Sequence, residues 1–117
     1  FPNLRFAAVE NGAEFLPAMF RKVRSVARKV PGWFADDPVD VFRHHVWVNP
    51  FWEDSIDDVI RWVGADRVLY GSDWPHIEGL PTPTDGVSAM AHLSHSDREA
   101  VLGGNARVLT ELAPRRG

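Results

Sequence analysis

The chain has 117 residues, a length that suits one domain with a real core and is short for two. Hydrophobic residues make up 44% and charged residues 25%, and the net charge of −3 speaks against a nucleic-acid or anionic-membrane partner. Zero cysteines exclude disulfides and thiolate metal sites, so any metal must be held by histidine and carboxylate, and the composition fits a cytoplasmic protein.

The first expected element is a strand over the apolar run Leu4–Val9, bounded by Asn3 and by the Asn11-Gly12 turn. The sequence opens at Phe1 with no signal peptide before that strand, which suggests a piece of a longer reading frame. No apolar run approaches the length of a membrane span. Phe15, Met19, Val23, Val26 and Val30 recur at steps of three and four and mark one helix face, which Pro31-Gly32 ends. Arg21, Lys22, Arg24, Arg28 and Lys29 lie mostly off that stripe, as on a solvated face.

A short helix near Val39–Arg43 and a strand in "HHVWVN" open a second unit. Strand neighbours point to opposite faces, so His44 and His45 read as a helix C-terminal charge and a strand-entry residue. Ile56, Val59, Ile60 and Val63 mark the next helix, with Asp54 or Ser55 as N-cap and Gly64 as C-cap.

The third unit is a strand in "DRVLYGSD" followed by the long loop "WPHIEGLPTPTDG". Helical segments follow near Val87–Leu93 and from Asp97 onward, and Ser96 and Glu99 have capping-box spacing. Gly103-Gly104-Asn105 interrupts the last segment, Asn105 is placed to cap a final helix reaching about Leu112, and residues 113–117 read as a frayed tail. Strand and helix alternating in this way predict an α/β fold: a parallel sheet with right-handed crossovers, whose function gathers at the strands' carboxyl ends. Those ends are Glu10, Asn49 and Asp73.

Asp73 on such a rim can bind a cation or take a proton from a metal-bound water; the other reading is a turn cap for the Trp74–His76 backbone. His76, three residues on, forms a D-x-x-H pair that can hold a metal or a substrate group, or is simply solvated. Glu10 is a ligand, base or substrate anchor, or else the N-cap of the helix that follows. Glu78 reads as an exposed acid, and His92 and His95 as solvated or C-capping groups. Trp47, Trp52, Trp62, Phe42 and Phe51 are core candidates, whereas Trp74 sits where it can wall a substrate.

"YGSDWPHIEG" resembles the last strand and following loop of the amidohydrolase-related proteins, in the branch of the aminocarboxymuconate semialdehyde decarboxylase-like enzymes. "FPNLRFAAVENGAEFLPAMFRKV", "HHVWVNPFWED" and "VLGGNARVL" resemble further segments of that family in the same order, across nearly the whole chain. The resemblance implies a metal-dependent (β/α)8 barrel, of which residues 1–117 would be the C-terminal three βα units of one domain. It implies that Asp73 touches the metal and moves a proton, and that Glu10 stands where relatives carry a histidine, as ligand or substrate contact. Trp74, His76, Glu10 and Asn49 would contact a small-molecule substrate. The cofactor would be a divalent ion, zinc foremost, with manganese or another as substitutes. The family's H-x-H pair and middle-strand histidine have no counterpart here, so metal centre and barrel would need the missing half. A homodimer is one assembly open to the full-length enzyme. The expected function is hydrolysis or decarboxylation of a small carboxylate, lactone or amide. The alternative is a non-catalytic βα module that binds a ligand or pairs through open strand edges. An open nucleotide-binding fold is weak because no Gly-rich phosphate loop follows any strand.

Overall fold

Apolar strand, helix, and strand again appear in the order expected. The computed structural model describes residues 1–111. Its elements are β1 (Phe6–Ala8), α1 (Phe15–Lys29), α2 (Pro38–His45), β2 (Val46–Val48), α3 (Ile56–Val63), α4 (His95–Glu99) and α5 (Asn105–Thr110). β1 and β2 are parallel, with Phe6 opposite Val46, Ala7 opposite Trp47 and Ala8 opposite Val48. Among the described residues no helix is long and apolar enough to cross a membrane.

The expected third strand is reduced to one parallel bridge, Val48 to Val68, with Leu69 N donating to the Val48 carbonyl at 2.8 Å. The next rung needs an N–H at residue 50, and Pro50 has none. The Asn49 side-chain amide donates to the Leu69 carbonyl instead, at 3.2 Å. On its other side the segment is held by helix: Tyr70 N donates to the Val101 carbonyl at 3.1 Å. Among the described residues the sheet is therefore one two-stranded ladder, β1–β2, with a single bridge to the third segment.

The core lies between this sheet and the first three helices: Leu16, Phe20, Val39, Val48, Val59, Val63 and Val68 are all buried. On α1 the buried positions are Leu16 and Phe20, one residue along from the expected stripe. Phe15, Met19 and Val23 pack against the core's rim, while Val26, in the last turn, and Val30, just past it, are 40% and 44% exposed. α2 runs through both His44 and His45, so the paired histidines end a helix, and His45 Nδ1 lies 2.7 Å from the Leu4 carbonyl.

α3 is capped as expected, Ser55 Oγ accepting from Asp58 N and Gly64 ending it at φ 89°. Two other caps differ from expectation. α4 is capped by Ser94, whose Oγ accepts from Asp97 N at 3.1 Å, not by Ser96, which falls inside the helix. The helix expected over Val87–Leu93 is a tighter 3₁₀ run, Asp85–Met90. The Gly103-Gly104 interruption is a wider, π-type turn over Ala100–Gly104 joining α4 to α5.

Asn105 is not a cap. It is 4% exposed, and its amide donates to the Ala65 and Val68 carbonyls at 2.7 and 2.8 Å, tying the last helix to the third segment. Removing it leaves the Val68 carbonyl without this donor and the Ala65 carbonyl with only a 3.4 Å bond from Val68 N, so Asn105→Ala is expected to cost about 1–3 kcal/mol, read as a lower urea midpoint with unchanged m. The end of the final helix at Leu112 and the tail 113–117 lie outside the described residues.

Candidate functional site

Glu10 and Asp73, at the carboxyl ends of β1 and the third segment, share an uncommon backbone. Their φ values are 59° and 55°, the positive-φ residues other than glycine among those described. Such a conformation costs a non-glycine residue about 1 kcal/mol or more and concentrates at functional positions. Neither has a capping role. No backbone N–H reaches the Asp73 carboxylate among the described residues; the turn is closed by backbone and serine, with His76 N donating to the Asp73 carbonyl at 2.8 Å and Trp74 N to Ser72 Oγ at 3.3 Å. The N-cap of α1 is Glu14, so Glu10 is free of that duty as well.

The loop then doubles back. Gly79 N donates to the His76 carbonyl at 3.1 Å and Leu80 N to the Ser72 carbonyl at 2.8 Å, across a cis Trp74–Pro75 peptide. A Cβ on Gly79 would stand 2.5 Å from the Asp73 carbonyl oxygen, so only glycine lets the loop close this tightly. The result is His76 Nδ1 at 3.5 Å from Asp73 Oδ1. Glu10, Asp73 and His76 each present a ligand atom, all within 4.8 Å of one another and all exposed. Two carboxylates and an imidazole at that spacing suit a divalent cation of borderline hardness.

Gly79→Ala is expected to push Asp73 off this position, so that any divalent-cation affinity of the cluster, measured by titration calorimetry with Mn2+ or Zn2+, falls at least about tenfold. Folding stability should change far less.

Glu10 and Asp73 line an open cleft of about 700 Å³ together with Asn49, Phe51, Trp52 and Asp54. Asn49 reaches it from β2, with its amide already engaged by the Leu69 carbonyl. Trp74, 58% exposed, and His76 stand on the loop beside the cleft and are not part of its wall. Phe51 and Trp52 are not core residues: they are 48% and 55% exposed, and Trp52 Nε1 donates to the Glu78 carbonyl at 3.1 Å, joining the two strand-end loops. Asp54 Oδ2 accepts from Phe51 N at 2.8 Å and sets that corner. Sequence reasoning missed Phe51, Trp52 and Asp54 as wall residues; their place directly after a parallel strand's carboxyl end was the available signal.

A crystal structure of an amidohydrolase from Mycobacterium avium subsp. paratuberculosis K-10 superposes with TM-score 0.88 at 35% identity, over 92% of this chain and 28% of that one. A 2,6-dihydroxybenzoate decarboxylase from Rhizobium gives TM-score 0.60 at 27% identity, over 80% of this chain and 31% of that one. A dihydroxybenzoic acid decarboxylase from Polaromonas sp. JS666, crystallised with manganese and 2-nitroresorcinol, gives TM-score 0.58 at 23% identity, over 81% and 30%, a likeness of fold alone. The chain thus spans less than a third of each, as part of a barrel. No curated protein matches it. The amidohydrolase family model matches residues 1–109, and the chain belongs to that family.

Proposed function

We propose that this chain forms the C-terminal part of the catalytic barrel of a metal-dependent hydrolase or carboxy-lyase, acting on a small carboxylate, lactone or amide. The convergence of Glu10, Asp73 and His76 at the strand ends is the observation that carries the reading. Asp73 and Glu10 would hold a divalent metal, zinc or manganese, with ligands from barrel strands that the similar structures have and this chain does not span. When bound, the metal would supply Lewis-acid polarisation of a substrate carbonyl or of water.

Asp73 is the proton acceptor: its carboxylate faces the cleft, accepts no backbone hydrogen bond among the described residues, and can take a proton from a water or substrate seated there. His76 Nδ1, 3.5 Å from Asp73 Oδ1, steadies the carboxylate and can contact a substrate anion. Glu10 binds metal or substrate from the end of β1, beside Asp73. Asn49 borders the substrate in the cleft, and Trp74, on the loop beside it, meets any part that projects outward. The 2,6-dihydroxybenzoate decarboxylase among the similar structures supports a carboxylate substrate and C–C cleavage as readily as hydrolysis. Elemental analysis of the protein purified without added metal is the test. About one divalent ion per chain is expected, and none in either the isolated or the complete protein would overturn the reading.

A second reading, a partner-pairing module, draws on the free outer edge of β1, where Phe6 and Val9 are each 52% exposed. Chain association without any bound metal would favour it.

A further inference from the structure

A second chamber lies beside the cleft. It has a volume of about 280 Å³, is open to solvent on one side, and lies between the loop after β2, the start of α3, and the segment around Leu80–His92. Phe51, Ile56, Leu69, Leu80, Met90 and Val101 give it an apolar lining. Pro50, Phe51, Trp52, Asp54 and Gly71 line both spaces, so the chamber and the cleft share a wall.

The polar side chains on its wall are already engaged elsewhere. Tyr70 OH donates to the Pro83 carbonyl at 2.6 Å, and His92 Nε2 lies 2.8 Å from Asp57 Oδ1. Asp54 accepts from Phe51 N at 2.8 Å, Ser55 Oγ accepts from Asp58 N at 3.3 Å, and Trp52 Nε1 donates to the Glu78 carbonyl at 3.1 Å. The Asp57–His92, Tyr70–Pro83 and Trp52–Glu78 contacts also tie the two loops together, so the chamber is held open by polar clasps and not by its lining.

We propose that this chamber is a binding subsite for an uncharged, ring-sized apolar group, next to the carboxylate-lined cleft and chemically distinct from it. The inference does not rest on the metal reading.

Met19 and Met90 are the chain's two methionines, and only Met90 lines the chamber. Protein carrying ¹³C-methyl methionine is titrated with toluene and followed by NMR. The expected result is a saturable ring-current shift of the Met90 methyl with Met19 unmoved. Ala89→Phe, on the chamber's exposed margin, is expected to weaken that binding at least about tenfold while Met19 keeps its native shift. Asp73→Asn should leave the Met90 response intact even if metal is lost, which separates failure of this inference from failure of the metal reading. An unmoved Met90 methyl, equal shifts at both methyls, or full binding in Ala89→Phe would each overturn the proposal.

Discussion

In the full-length enzyme proposed above, Asp73→Ala is expected to release the metal and to lower kcat/KM by about 10²–10⁴-fold, the range spanned by loss of a positioned proton acceptor. The expectation follows from three features of one residue. Its carboxylate receives no backbone hydrogen bond among the described residues, so the fold does not use it as a cap. Its φ of 55° is held by a loop that doubles back onto its own carbonyl. Glu10 and His76 present ligand atoms within 4.8 Å of it. Alanine at this φ adds little new strain, since both side chains carry a Cβ, so stability should change by less than about 1 kcal/mol. Elemental analysis and urea unfolding of the same variant therefore separate a lost site from a lost fold. Full metal content and unchanged turnover would take Asp73 out of the chemistry.

The largest stability effect is expected at Phe20. It is 1% exposed and stands where α1, α2 and α3 meet, with its ring edge-on to Phe42 at 5.3 Å and to Trp62 at 5.9 Å. The Arg43 guanidinium lies 5.7 Å from its centroid, while Arg43 Nε donates to the Trp62 carbonyl at 2.8 Å, so the site cannot easily collapse to fill a void. Phe20→Ala should cost about 3–5 kcal/mol, a large share of the about 5–15 kcal/mol that holds a domain of this size together. A urea midpoint near that of the parent would show that the three helices do not depend on this contact. Met19→Ala, one residue away at the rim, should cost much less, because the rim can relax.

Much of the site was legible from spacing alone. Glu10, Asn49 and Asp73 could be read as strand-end residues because a chain alternating strand and helix puts its carboxyl ends on one rim, whatever the details of packing. The caps at Ser55 and Gly64 were legible because they depend on a few neighbouring residues. Phe51 and Trp52 were misread as core, since an aromatic side chain after a strand looks the same in sequence whether it turns inward or walls a cleft.

The sequence by itself determined the order of strand and helix and the polar rim. Those rest on local sterics and on hydrophobic periodicity, which neighbouring residues settle among themselves. Tertiary structure alone decided three matters. Pro50 ends the second ladder because the missing N–H faces the Leu69 carbonyl, 19 residues away, and the Asn49 amide takes its place. Asn105 is a buried clasp instead of a helix cap because Ala65 and Val68 bring their carbonyls to it from 40 and 37 residues away. His76 joins Asp73 and Glu10 because a loop and a strand far apart in the chain end at one place. Hydrogen-bond partners and ligand sets are properties of proximity in space, and no local pattern of residues carries them.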